Sequence, residues 1–259
     1  MSALDRGRPP RVRTSGGSVT AQKVVLALNA WSASFREIRR AVFVIASDIV
    51  ATAPAPERLA DIGWTDGLAV SDSRLLVNYY RTTLDGRLVF GQGGGRLAFG
   101  AGVGDAFDGV TPRAGEVEES MRGLYPMLGD VPVVASWLGP IDRTRTGLPF
   151  FARLGGRDDL LYGVGFSGNG VGPCLVGGRI LASMALGLDD EWAGSGLARD
   201  PVGGFPPEPI RYVGGHTVRA AVARKERADD AGRRPSRIDE MLVSLAPAGL
   251  VPVKSSPRG

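Results

Sequence analysis

The sequence predicts an α+β fold built on an antiparallel or mixed β-sheet, and three observations lead there. Between residues 41 and 91, short β-branched and aromatic runs follow one another with turn residues between them. Residues 160–186 read as an apolar strand, a glycine-dense turn and a helix opening beside Pro173. No strand follows that helix: Asp189, Asp190, Glu191 and Trp192 come next. A dinucleotide-binding unit needs a second strand there, ending in an acidic residue for the ribose. Gly163, Gly165 and Gly168 therefore satisfy G-x-G-x-x-G without its context.

In chain order, residues 1–10 form a polar leader, and residues 18–30 read as a tight hairpin or strand pair whose partners are missing. Residues 41–52 form a strand of β-branched residues, stopped by Pro54 and Pro56. A helical turn over 55–61 precedes strands near 68–71, 75–82 and 87–91. The last two are joined at Asp85-Gly86, a favoured hairpin pair. The glycines between 91 and 109 read as a mobile loop over a cavity mouth; no Gly-Lys-Ser or Gly-Lys-Thr follows to make a phosphate cradle. Thr111-Pro112 opens a helix with a side-chain cap, placing Val117, Met121 and Leu124 on one face. Strands follow at 131–138 and 160–164. In the helix over 173–186, Val176, Ile180 and Met184 recur every four residues, and Gly177 and Gly178 allow close approach to a neighbour. Residues 201–209 are a Pro/Gly-rich linker, 217–231 an amphipathic helix closed by Gly232, and the last residues a frayed tail.

Composition narrows the function. With 43% hydrophobic and 22% charged residues, the 259-residue chain is that of an ordinary globular protein. No apolar run approaches the ~18 residues of a membrane span, no signal peptide is visible, and cytoplasmic residence is the default. The net charge of +4 is carried by a tail in which arginines mix with Glu226, Asp229 and Asp230. That pattern reads as a solvated helix face and argues against nucleic acid. One cysteine, Cys174, excludes an internal disulfide and cysteine-based zinc; its apolar neighbours Leu175 and Val176 suggest buried packing. The single histidine, His216, sits in a Gly-Gly-His turn at a helix start, which with the incomplete elbow around Ser167 leaves a serine hydrolase without a base. No metal set is present.

The glycine turn carries the remaining chemistry. Bare backbone N–H groups at a helix N-terminus gather positive potential and hold electron-rich ligands. Gly165, Ser167, Gly168, Asn169 and Gly170 fall on G-x-S-G-x-G ahead of a helix. The stretch resembles the C-terminal flavin-contacting segment of the D-amino-acid-oxidase-like superfamily of FAD-dependent amine and amino acid oxidoreductases. Other segments resemble the same superfamily in its order. They are Gly17 to Ala21 and Val24 to Ala27 at the end of the nucleotide domain, Asn78-Tyr79-Tyr80-Arg81 with Asp85 to Gly91 across the substrate cavity, and Trp137 to Thr144 with Gly147-Leu148-Pro149 beside the flavin.

The resemblance implies an α+β substrate domain joined to the C-terminal part of an FAD-binding, Rossmann-like α/β domain. Residues 1–40 would be the end strands of that domain, 41–150 the substrate domain, 151–195 the flavin-contacting segment, and 196–259 linker, helix and tail. Nothing before residue 40 has the strand, G-x-G-x-x-G turn and helix that bind ADP, so the chain enters the pattern near the end of the nucleotide domain. A separate nucleotide-binding chain is one possible partner. The implied cofactor is FAD, held non-covalently because Phe150-Phe151-Ala152 stands where tethered relatives carry cysteine. Its contacts would be Gly139, Gly165, Phe166, Ser167, Gly168, Asn169, Gly170 and Val171. Tyr79, Tyr80, Arg81, Ile141 and Arg143 would line the substrate site, only one of the two tyrosines facing inward. Relatives that oxidise amino acids often carry arginine where Ile141 stands, which favours an amine, as in the γ-glutamylputrescine oxidoreductase branch, although Arg143 lies close by. Hydride transfer from a neutral amine needs no side-chain base, so no catalytic residue is assigned. The alternatives are a non-catalytic remnant, one subunit of a split oxidase, or a flavin-free amine-binding module.

Overall fold

The computed structural model describes residues 1–247 as two compact units, Met1–Phe43 with Ile141–Pro207, and Val44–Pro140 with residues 208 onward. Strands and helices mix in each, as the α+β class requires.

The first unit begins with an antiparallel meander of β1 (Ala3–Asp5), β2 (Arg11–Thr14) and β3 (Gly17–Thr20), in register through Leu4↔Val12 and Val12↔Val19. The expected polar leader is thus partly a strand. β3 pairs back onto β2, so residues 18–30 do not fold as one hairpin. β4 (Val24–Leu26) instead runs parallel to β11 (Leu160–Val164), with Leu160↔Val24 and Tyr162↔Leu26. The third strand of this sheet, β10 (Phe150–Arg153), pairs antiparallel with β11. Every residue of β11 is buried, as expected of a central strand. Helix α3 (Pro173–Leu186) covers it, and Phe151, Leu161, Ile180, Leu181 and Met184 form the core between them. Gly177 makes that packing possible, because a Cβ there would lie 2.6 Å from Phe151 Cζ; Gly178 faces open space. Val176 is exposed, so the helix buries a narrower stripe than its spacing predicts.

The second unit is a five-stranded sheet in the order β6–β7–β8–β5–β9. Its strands are β5 (Val42–Thr52), β6 (Ala69–Ser71), β7 (Asn78–Thr82), β8 (Leu88–Gln92) and β9 (Val133–Thr144). β5 and β9 run across the boundaries between units, and β9 extends well past the predicted end at 138. Helices α1 (Pro56–Asp61) and α2 (Ala114–Leu124) contribute to the core around Val50, Leu59, Phe90, Val117 and Met121. Leu124 is exposed, and α2 starts after Arg113 with no side-chain cap. Thr111 Oγ1, two residues earlier, accepts the Arg113 N–H at 3.0 Å and donates to buried Asp48 at 2.6 Å.

The glycine-rich segment after β8 is tied to β5 by Gly95 N–H to Ala46 O, Ala46 N–H to Arg96 O and Ala98 N–H to Val44 O. A Cβ at Gly95 would lie 2.3 Å from Asp48 Oδ2. Gly95 therefore serves close packing against β5, so the start of the segment is held to the sheet and is not the expected loose loop, whereas Gly100, Gly104 and Gly109 face open space. Helix α4 (Ile210–Asp230) starts seven residues before the predicted position, directly after Pro209, and α5 (Arg237–Val243) follows, capped by Ser236. His216 thus lies within α4, its ring 4.5 Å from that of Tyr212, rather than in a turn. The frayed tail falls outside the described residues from 248 onward. No helix among the described residues is long and apolar enough to cross a membrane, and none of their His, Cys, Asp and Glu side chains cluster to hold a metal.

Candidate functional site

β11 delivers the chain into the turn and α3 takes it away, so the turn is anchored at both ends by buried elements. Gly165 (φ +89°) and Gly168 (φ +93°) adopt left-handed conformations that side chains disfavour. Gly165 is also sterically obligatory, since a Cβ there would lie 2.3 Å from Thr144 Cγ2. Ser167, with φ +55°, carries a side chain in the same region.

The end of β9 braces this turn. Asp142, 1% exposed, accepts the Gly165 N–H on Oδ2 at 2.6 Å, and its backbone carbonyl accepts the Ser167 N–H at 3.3 Å. Ser167 Oγ accepts the Thr144 N–H and donates to Gly165 O, both at 3.2 Å. Burial pushes the Asp142 carboxyl up to about 6, against the stabilising pull of the Gly165, Ser167 and Phe166 amides. Asp142 and Thr144 were not among the predicted site residues. An acidic residue inside a strand was the available signal, because Asp is depleted there unless a buried partner holds it.

The crown of the turn is open. Asn169 N–H closes onto Phe166 O at 2.8 Å, and Cys174 N–H onto Gly170 O at 2.8 Å. The N–H groups of Gly168, Gly170 and Val171 have no acceptor among the described residues. Val171 is fully exposed, and α3 has no side-chain cap at Gly172. Phe166 is half-buried, its ring edge-on to Phe151. Cys174 is exposed and not the buried packing residue expected.

The other predicted residues divide between the units. Ile141 joins the turn, its side chain the nearest neighbour of Gly168, 3.5 Å from where a Cβ would stand. Arg143, next to Asp142 on β9, is half-buried, and burial lowers its pKa. Gly139 lies on β9 in the second unit, as do Tyr79, Tyr80 and Arg81 on β7. Alternation sends the tyrosines to opposite faces. Tyr80 stacks on Phe90 (5.2 Å, 4°) and meets Trp64 and Tyr125 edge-on, so its ring belongs to the core and not to a cavity. Tyr79 lies across β8 at Gly91, where a Cβ would come within 2.2 Å of its ring, and its hydroxyl shares a 2.7 Å hydrogen bond with Ser47 Oγ. Burial, and then the nearby Asp48 charge, raise its pKa despite that bond. Arg81 is exposed.

Comparison with known proteins gives a consistent result. A family profile described as FAD dependent oxidoreductase matches residues 2–184. The chain is 31% identical over 185 residues to a probable oxidoreductase OrdL of Haemophilus influenzae, covering 70% of this chain and 39% of that protein. It is 28% identical over 221 residues to the gamma-glutamylputrescine oxidoreductase of Escherichia coli, covering 85% of this chain and 47% of the other. The chain thus spans less than half the length of these curated relatives. Among solved structures, a fructosyl peptide oxidase thermally stable mutant superposes with TM-score 0.59 at 16% identity (76% of this chain, 49% of that one). The glycine oxidase of Geobacillus kaustophilus does so with TM-score 0.55 at 19% identity (76% and 50%). These two likenesses establish the fold.

The donor set of the turn suits FAD. Three N–H groups with no acceptor among the described residues lie together just ahead of a helix start, and Ile141 is the one side chain within 4 Å of where a Cβ at Gly168 would stand. Such groups bind an electron-rich ring edge without a charged side chain.

Proposed function

The chain belongs to the DAO family of FAD-dependent oxidoreductases, and from that membership we propose that it supplies the ring-holding turn and the substrate-facing sheet of an enzyme oxidising the C–N bond of an amine. FAD, when bound, accepts the hydrogen and electron pair leaving the carbon beside nitrogen. Gly168, Gly170 and Val171 would hold it by their N–H groups. Positive potential from these donors and from the start of α3 favours negative charge developing beside them. Asp142, Thr144 and Ser167 keep the donors pre-aimed, so no reorganisation is required when charge develops. β10 carries no cysteine, so the flavin would be held non-covalently.

Ile141 sets the substrate preference in this reading. An isoleucine beside Gly168 offers no donor for an α-carboxylate, whereas arginine would pair with it through two parallel hydrogen bonds. Tyr79, half-buried over Gly91 with its hydroxyl bonded to Ser47, is the aromatic ring suited in this reading to confining a small cation. The coarse substrate class is therefore an amine or amino acid, with amines favoured. β4 has one strand neighbour among the described residues, β11. Its other edge would accept a strand from a nucleotide-binding chain, which makes a split oxidase the second reading.

The open N–H set of Gly168, Gly170 and Val171 carries this proposal. Purified protein supplied with FAD should retain a yellow chromophore through gel filtration, and anaerobic addition of a primary or secondary amine should bleach it. A colourless protein that still binds the amine would replace the oxidase with a flavin-free binding module.

A further inference from the structure

We propose that the corner between α4 and α5 is a separate binding site for phosphate-bearing anions. A cleft of about 300 Å³ opens there, and Arg224, Arg227, Arg233 and Arg234 all line it, against one carboxylate, Asp239. The cleft belongs to the second unit and the flavin-holding turn to the first, so the proposal does not rest on the flavin reading.

The carboxylates nearby are already committed. Asp239 is buried and accepts two hydrogen bonds from Arg224, at 2.9 and 2.6 Å, and one from Ser236 Oγ at 2.8 Å. Glu226 accepts the N–H groups of Leu75 and Leu76 at 2.8 and 3.0 Å. Asp229 pairs with Lys225 at 2.6 Å and Asp230 with Arg74 at 2.7 Å. Glu240, beside Asp239 on α5, is exposed and does not line the cleft.

The arginines are not matched. Arg227 donates its Nε–H to Ala223 O, and the guanidinium groups of Arg233 and Arg234 have no acceptor among the described residues. Arg224 and Asp239 cancel, which leaves three guanidinium charges around one small cleft. Like charges gathered without a counter-ion repel, and an anion that enters relieves the repulsion.

The chemistry of the wall selects the ligand. Guanidinium forks pair bidentately with phosphate oxygens, and a phosphate ester presents up to two charges and three strong acceptors. The volume is about ten times a water's share of the liquid, room for one or two phosphate groups. Free pyrophosphate and the diphosphate of a nucleotide share this chemistry.

Calorimetric titration of the full chain at fixed ionic strength, with pyrophosphate and ADP as separate ligands, tests the proposal. The expected result is saturable one-to-one binding of at least one of them, the tighter naming the source of the phosphate. Combining Arg233→Ala with Arg234→Ala, two exposed changes that leave the Arg224–Asp239 pair intact, should weaken binding at least about tenfold. Arg237→Ala, exposed and outside the cleft, should leave it unchanged, with thermal melts verifying that each variant folds. Absence of saturable heat with both ligands overturns the proposal, as does equal weakening by Arg237→Ala, which would mean diffuse surface charge.

Discussion

Ser167 sits at φ +55°, where a Cβ is disfavoured, yet its hydroxyl bridges the Thr144 N–H and the Gly165 carbonyl. The two effects separate by substitution. Ser167→Ala keeps the unfavourable Cβ and removes both hydrogen bonds, a loss of about 1–3 kcal/mol in urea unfolding. Ser167→Gly loses the same bonds but relieves the backbone, so it should destabilise less by about 1 kcal/mol. Equal losses would show that the backbone conformation there is not strained. Asp142 gives a pH signature. Its carboxyl titrates near 6 in the folded chain against 3.8 in the unfolded one, so the folded state binds the proton more tightly. The stability it contributes is complete below about 3.8, declines through that window and is gone above about 6. Asp142→Asn keeps an acceptor for the Gly165 N–H and removes the titration. Wild type minus variant, measured by urea unfolding across this range, should therefore fall as pH rises; parallel profiles would contradict the placement of Asp142.

At the scale of elements, local signals were legible and distant pairings were not. β11 and α3 fall at their predicted bounds because strand, glycine turn and proline-started helix are specified within one continuous stretch. The Asp85-Gly86 turn between β7 and β8 was legible for the same reason. The parallel pairing of β4 with β11 joins opposite ends of the first unit, and no local pattern encodes it. Gly214 and Gly215 hid the first turns of α4, although Pro209 ahead of Ile210 was the start signal. In α5 the Ser236-x-x-Asp239 spacing was the missed cap. The contact of α3 with β10 rests on Gly177. Gly177→Ala should destabilise by about 1–3 kcal/mol, since its Cβ would enter the Phe151 ring. Gly178→Ala, one residue on and facing open space, should be neutral or stabilising by up to about 1 kcal/mol. Thermal melts of the pair check this; equal losses would mean the glycines serve the helix backbone and not the packing.

For the whole molecule, the family was legible from ordered motifs, while the parts of the site were legible unevenly. The glycine turn is local, so its residues could be named from sequence. The choice between Tyr79 and Tyr80 needed the sheet, because only neighbouring strands show that Tyr80 faces Phe90 and Trp64 while Tyr79 lies over Gly91. Asp142 escaped because its value depends on a turn that follows far along the chain. The central claim is that free amides of the turn grip a flavin ring, and amide-resolved NMR of the isotopically labelled full chain during titration with FMN tests it most directly. The account predicts that the signals of Gly168, Gly170 and Val171 shift together and saturably, while that of Gly165, already bonded to Asp142, moves little. Saturation that shifts other amides and leaves these three in place, or no shift at millimolar flavin, would contradict it.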